Sequence, residues 1–286
     1  MSEKLLNEHI CLKEYISEKD YDELAELSNL CYLNDSINLK LELEYKLDLY
    51  KNQNKSYNKI NEFFYYSNEN LISYLGISSF NDNVAEINGM THPDWRRKGI
   101  FKKMIQFAIN ECTNRNFSNI LLLSDFKSVS GINFIESIGG KYDFSEYRMK
   151  LNEKISLNEI GPVSLRKAEK SDNREIAKQN EIFFGGGDES DIFNQITYMI
   201  ELNETTIGKI KVEFNHGSAF IFGFGILPDY RGKGYGKAAL KQTISLIQEK
   251  SISEIELDVE TKNDRALNLY TSCGFEKKSA MNYYNI

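Results

Sequence analysis

The sequence predicts two consecutive α/β (α+β) halves, each a mixed β-sheet flanked by helices. Three observations lead there. A chain of 286 residues is too long for one small core and comfortable for two domains. Strand-like and helix-like segments alternate along it. The third observation is a repeat. The stretch "HPDWRRKGIFKKM" (His92 to Met104) echoes "LPDYRGKGYGKAAL" (Leu227 to Leu240), setting Pro93, Asp94, Arg96, Lys98 and Gly99 against Pro228, Asp229, Arg231, Lys233 and Gly234, always 135 positions apart. The register continues without a gap through Lys102 and Lys237, Ile109 and Ile244, Leu122 and Leu257, and Gly139 and Gly274. Short chance matches rarely keep one spacing for so long.

The elements follow in parallel. A short strand ("ICLKEY"; "VSLRKA") leads into a helix whose first turn is marked by Asp20 or Asp172. The first half then adds a helical segment, Leu39 to Asn52. The second half has "FFGGGDESD" (Phe183 to Asp191) in that place, read as a loop. Two β-rich segments with polar turns come next, "FFYYSNENLISYLGISSF" and "ITYMIELNETTIGKIKVEF". A strand enters the glycine-rich turn and a helix leaves it. In the second half Leu240, Ile244 and Ile247 give that helix a core stripe. The strand "EIELDV" precedes a last helix, with Asn263 as its N-cap and Gly274 as its C-terminal cap. Gly161-Pro162 marks the boundary. The expected domains are 1–151 and 163–286, joined by a linker over 152–162 and packed on each other.

Composition narrows the function. With 41% apolar and 27% charged residues the chain reads as an ordinary globular protein. A net charge of −7 argues against a global nucleic-acid footprint, so any anion site is local. Cys11, Cys31, Cys112 and Cys273 are scattered, as are His9, His92 and His216. Neither set has metal-ligand or redox spacing, so no metal is expected and the thiols are expected to be reduced and mostly buried. "MSEKLLNEHI" lacks the apolar core of a signal peptide, and the longest apolar run, Ala219 to Leu227, is too short to span a bilayer. No membrane partner and a cytoplasmic location are therefore expected.

The turn "RGKGYG" carries the functional signal. Helix N-termini leave backbone N–H groups unpaired and carry partial positive charge. Glycines lack a Cβ, so an anion can approach those groups closely. Arg231 and Lys233 add full charges. This chemistry suits a phosphate or pyrophosphate. A Walker A loop is excluded because Ala238 follows Gly236-Lys237, and G-x-G-x-G is not the dinucleotide spacing G-x-G-x-x-G. In the preceding strand, strict alternation puts Phe220, Phe222, Phe224 and Ile226 on one face, with Ala219, Ile221, Gly223 and Gly225 on the other. Gly223 and Gly225 leave the second face open, either to a slim ligand or to a closely packed helix.

These features resemble the GNAT superfamily of N-acetyltransferases. Arg231-Gly232-Lys233-Gly234-Tyr235-Gly236 fits that family's [RQ]-x-x-G-x-[GA] loop. Asn263, Ala266, Leu269-Tyr270 and Gly274-Phe275 fit its later signature. The resemblance covers the second half well and the first half less completely. It implies tandem domains, each with a mixed, mostly antiparallel sheet. It also implies acetyl-CoA as co-substrate, with its pyrophosphate on the amides of Gly232 to Lys237 and its pantetheine along Gly225, Ile226 and Leu227. Tyr270 is then the acid at the leaving thiolate, and a backbone N–H near Ile226 or Leu227 is the oxyanion donor. Asp258 and Glu260, two apart on one strand, are base candidates, though many family members use water chains. Cys273 has no histidine nearby in sequence to activate it as a nucleophile.

The first half departs from this pattern: Phe101 stands for Gly236, Ser128 for Asn263 and Ile135 for Tyr270. It is expected to be catalytically degenerate, although Arg96, Arg97, Lys98, Lys102 and Lys103 keep its turn cationic. The function expected is acetyl transfer to a primary amine of a small molecule, peptide or protein. Two other readings stay open: a non-catalytic acyl-CoA-binding regulator or scaffold, and an acyltransferase with a larger donor.

Overall fold

The structure, a computed structural model, describes residues 7–51, 59–81, 83–152, 161–185, 195–215 and 217–286. The chain divides into two compact units: Met1–Phe144 with Met281–Ile286, and Ser145–Ala280. Most of the expected linker and residues 186–191 of the glycine-rich run lie outside the described residues.

In chain order the first unit holds β1 (Glu8–Lys13), α1 (Glu18–Asp35), α2 (Leu43–Lys51), β2 (Glu62–Ser67), β3 (Asn70–Asn81), β4 (Val84–Thr91), α3 (Ile100–Asn114), β5 (Asn119–Asp125) and α4 (Val129–Ser137). β6 (Lys141–Leu151) follows, and from Ser145 it belongs to the second unit. The second unit continues with β7 (Ser164–Lys167), α5 (Asn173–Phe184), β8 (Gln195–Leu202), β9 (Thr205–Asn215), β10 (Ser218–Ile226), α6 (Tyr235–Glu249), β11 (Glu254–Glu260), α7 (Asp264–Thr271) and β12 (Phe275–Asn285). From Met281 onward β12 belongs to the first unit.

Each unit builds its sheet the same way. Strands β1 to β4 run antiparallel in sequence order, β4 lies parallel to β5, and β5 pairs antiparallel with Met281–Asn285. In the second unit β7 to β10 run antiparallel, β10 lies parallel to β11, and β11 pairs antiparallel with Glu146–Lys150. The closing pairs match in register: Met281 faces Asp125, and Glu146 faces Glu260. The sheet of each unit is thus completed by five residues from the other repeat. The sequences at 141–151 and 276–286 give no sign of that exchange, and the expected bounds, 1–151 and 163–286, leave each segment with its own half.

The helices follow their sequence signals. Ser17 and Asp20 form a capping box at the start of α1. Leu240, Ile244 and Ile247 of α6 are buried in the second core, each contributing roughly 1.5–3 kcal/mol. Asn263 Oδ1 accepts the Ala266 N–H at 3.1 Å, and Ser128 Oγ accepts that of Gly131 at 3.2 Å in the matching place. The extra helix is shorter at its start than the expected Leu39–Asn52. It begins at Leu43, because Glu42 takes a left-handed conformation (φ 54°) that an α-helix cannot continue through. A buried polar contact ties α2 to the sheet: Lys46 Nζ lies 2.7 and 3.0 Å from the Glu62 carboxylate and 3.2 Å from the Ile77 carbonyl, and the Tyr74 hydroxyl donates to the same carboxylate.

One expectation for β10 fails. Ile226 joins the core with Ala219 and Ile221, not the face of Phe220 and Phe222. The register with β9 slips between Phe222 and Gly225, where Gly223 adopts φ 54°. This β-bulge inserts one residue and exchanges the faces beyond it.

Candidate functional site

The bulge shapes the second unit's site. β10 and β11 pair only from Ser218 with Glu254 to Ile221 with Leu257. Beyond that, β10 stays with β9 and β11 stays with β6, so the two parallel strands part. Residues 222–226 are left with a free edge toward the gap. The Leu227 N–H donates to the Ile207 carbonyl at 2.8 Å, which removes it as an oxyanion donor. Alternation along an antiparallel ladder then turns the neighbouring Ile226 N–H toward the free edge. The Ile226 carbonyl, on that same side, accepts from Arg231 Nε at 2.7 Å.

The glycine turn follows directly. Gly232 and Gly234 have φ of 77° and 82°, a region that L side chains enter at a cost of roughly 1–2 kcal/mol. A Cβ at either position would meet nothing within 4 Å. Backbone conformation therefore favours glycine at both positions, and the space beside them is open. The first helical bond of α6 runs from the Ala238 N–H to the Gly234 carbonyl, so the N–H groups of Tyr235, Gly236 and Lys237 lack helical partners. Arg231 and Lys233 act partly inside the turn: Arg231 binds back to β10, and Lys233 Nζ donates to the Asp229 carbonyl at 3.0 Å.

Tyr270 sits on α7 in the second core, edge-on to Phe275. Burial pushes its phenol up to about 12, and its hydroxyl has no hydrogen-bond partner among the described residues. It is a protonated donor with no acceptor among the described residues. Asp258 is differently placed. Arg148 grips it with two bonds, of 2.7 and 2.8 Å, so its oxygens are held by a cation. Glu260 is exposed at the end of β11. Asn263 spends its side-chain oxygen on the α7 cap. The Cys273 thiol is buried and pushed up by that burial.

The structure also brings in residues that motif reading missed. Phe183 of α5 packs where a Cβ on Gly225 would stand, at 2.3 Å, so the open glycine face is filled by a ring from a helix. Arg148 comes from β6, far from Asp258 in sequence, and only the strand exchange reveals the pair.

The first unit repeats the geometry. β4 and β5 part after Ile87 and Leu122. Gly99 has φ 79°, and Arg97 takes φ 64° where the second unit has Gly232. Arg96 Nε donates to the Thr91 carbonyl at 3.1 Å, matching the bond from Arg231 to Ile226. Its guanidinium also pairs with Asp35 at 2.5 Å. Phe101, in the place of Gly236, stands edge-on to Phe134. A cavity of about 480 Å³ opens between the parted strands and the turn.

Two comparisons of sequence and one of structure agree with these features. The model of the "Acetyltransferase (GNAT) family" matches residues 21–139 and again 165–275. A mycothiol acetyltransferase of Renibacterium salmoninarum is 38% identical over 65 residues, 23% of this chain and 19% of that protein. A "[Ribosomal protein bS18]-alanine N-acetyltransferase" of Escherichia coli K12 is 33% identical over 67 residues, 23% of this chain and 45% of that enzyme. This chain thus spans less than half the length of these curated relatives. A GCN5-related N-acetyltransferase from Sphaerobacter thermophilus superposes with a TM-score of 0.74 at 15% identity, covering 97% of this chain and 95% of that one. A tandem GNAT protein from the clavulanic acid biosynthesis pathway does so with a TM-score of 0.67 at 10% identity, covering 98% of each. At such identities the likeness establishes the fold.

Proposed function

This chain belongs to the Acetyltransferase (GNAT) family, and on that premise we propose that it is an acetyl-CoA-dependent N-acetyltransferase whose second unit carries the chemistry. The observation that carries this reading is Tyr270: a buried phenol held protonated, with an unpartnered hydroxyl, in the same core cluster as Ile226 at the parted strands. The donor's diphosphate would rest on the amides of Gly232 to Lys237, where missing side chains and a helix N-terminus favour an anion. Its thioester arm would lie along the free edge at Gly225 and Ile226.

The chain's own groups then divide the work. The Ile226 N–H is placed to stabilise charge developing on the acetyl oxygen. Tyr270 supplies the proton to the departing thiolate. Asp258 is left out, because its carboxylate is committed to Arg148. The acceptor amine loses its proton to Glu260 or to solvent. The similarity to a ribosomal-protein alanine N-acetyltransferase supports an amine acceptor. Among the described residues no helix is long and apolar enough to cross a membrane. The test is release of free thiol from acetyl-CoA across a panel of small amines, amino acids, peptide N-termini and lysine peptides. Amine-dependent release that Tyr270→Phe reduces supports the reading. No release with any amine, alongside tight coenzyme A binding, would favour a non-catalytic binder.

A further inference from the structure

The face of β10 at Gly225 is closed by a side chain from outside its own strand. A Cβ on Gly225 would stand 2.3, 2.4 and 2.7 Å from Cδ2, Cε2 and Cγ of Phe183. The ring therefore rests against the Gly225 Cα, with no room between them for even one methyl group. The first unit fills the same place differently. Its matching residue, 135 positions earlier, is Met90. That side chain is buried in a core of its own with Leu24, Cys31 and Tyr74.

Phe183 is held on several sides. The Arg231 guanidinium lies 5.9 Å from the centre of its ring, while Arg231 Nε donates to the Ile226 carbonyl at 2.7 Å. Phe184 stands edge-on to it with centroids 5.9 Å apart, and Lys209 Nζ lies 5.5 Å over the Phe184 ring. Gly185 then stops α5 in a left-handed conformation, φ 74°. The ring is thus fixed beside the free edge of β10, next to the Ile226 N–H.

The shape of a thioester decides what meets that ring. Its carbonyl carbon carries three groups in one plane: the oxygen, the sulfur and the acyl chain. With the oxygen on the Ile226 N–H and the sulfur toward Tyr270, two directions are taken. Tyr270 shares the core face with Ile226. The acyl chain is left with the opposite face, which is that of Gly225. Phe183 stands there.

On the transferase reading of the second unit, we propose that the Phe183 ring sets the length of the acyl group, admitting acetyl and excluding longer chains. Each further methylene would have to enter space that the ring fills. A glycine on the strand with a ring from a helix end places this limit on one exchangeable side chain. Phe183 is a specificity-determining residue here, and the proton transfers do not involve it.

The test measures kcat/KM of the full-length protein for acetyl-, propionyl- and butyryl-CoA with an accepted amine. Phe183→Ala and Phe183→Leu are run alongside. One methylene too many in an apolar pocket changes kcat/KM by roughly 10- to 200-fold. The unaltered protein is expected to favour acetyl over butyryl by at least about tenfold. Phe183→Ala is expected to raise the butyryl-to-acetyl ratio by at least about tenfold, and Phe183→Leu by less. A packing role alone would lower all donors together and leave the ratio unmoved, which would overturn the proposal. Equal use of the three donors by the unaltered protein would also overturn it, with the transferase reading left standing. If Phe183→Ala fails to fold, an unmoved ratio in Phe183→Leu overturns it instead. Absence of turnover with every amine, alongside coenzyme A binding, would count against the transferase reading alone. Calorimetry then decides on the ring, with Gly99→Asp present so that the second unit's turn is the one read. Phe183→Ala should bind butyryl-CoA at least about tenfold more tightly than the protein with Phe183, and unchanged affinity would overturn the proposal. No binding of any donor would overturn both.

Discussion

The strand exchange has a direct energetic consequence. Tyr283 lies near the chain end, 1% exposed, stacked on Phe144 at 4.4 Å with an interplanar angle of 10°, and its hydroxyl accepts from Lys40. Its strand partner is Leu123 of the first unit. Truncating so large a buried ring to alanine typically costs about 3–5 kcal/mol. Tyr283→Phe keeps the ring and removes only the acceptor for Lys40, for about 1 kcal/mol. Whole domains are stable by only about 5–15 kcal/mol, so the alanine variant should lose a large share of first-unit stability. Trp95 lies in the first unit and is the chain's only tryptophan, so its fluorescence in a urea titration follows that unit alone. The expected result is a Trp95 transition at clearly lower urea for Tyr283→Ala and slightly lower urea for Tyr283→Phe. An unmoved Trp95 transition in the alanine variant, with far-ultraviolet dichroism showing early loss elsewhere, would mean that the last strand closes the second unit instead.

Four further outcomes follow from three side chains. Tyr270→Phe should lower kcat by roughly 10²–10⁴-fold with donor binding retained, measured by steady-state kinetics on an accepted amine. The same phenol sets a pH dependence. Its folded value near 12 lies above the ordinary 10, so its stabilising contribution is complete below pH 10 and fades between about 10 and 12; melting temperatures across that range should show the fall, and Tyr270→Phe should flatten it. Asp258→Asn should cost about 1–3 kcal/mol of stability by loosening Arg148 and change kcat/KM by less than about threefold; a loss near 10²-fold would make Asp258 a base after all. Lys46→Met should cost about 3–5 kcal/mol, because it strands the Glu62 carboxylate in the core, and chemical denaturation of a Lys46→Met, Glu62→Leu double variant should recover part of that.

The repeat was the most legible feature of the sequence, because it fixes hydrogen bonds as well as residues. The 135-residue offset carries the bond from Arg96 to Thr91 onto that from Arg231 to Ile226, and the Ser128 cap onto the Asn263 cap. Helix stripes and caps are local and were readable for that reason. Three things were not. The bulge at Gly223 depends on pairing with β9, and strict alternation could not foresee the reversal of faces at Ile226. The exchange of β6 and β12 is a choice between two equivalent partners, which no property of a single strand encodes. The commitment of Asp258 to Arg148 and the filling of the Gly225 face by Phe183 both depend on residues distant in sequence.

The most direct test of the central claim compares Gly234→Asp with Gly99→Asp for coenzyme A binding by calorimetry and for acetyl transfer under one set of conditions. Both glycines have left-handed backbones with open space beside them, so both substitutions carry similar backbone strain. Alanine at each position measures that strain separately from the added charge. The account expects Gly234→Asp to lose at least about tenfold in coenzyme A affinity, as repulsion at a helix N-terminus requires, and to abolish transfer, while Gly99→Asp keeps most of the activity. Retained transfer in Gly234→Asp with its loss in Gly99→Asp would place the chemistry in the first unit and contradict the assignment.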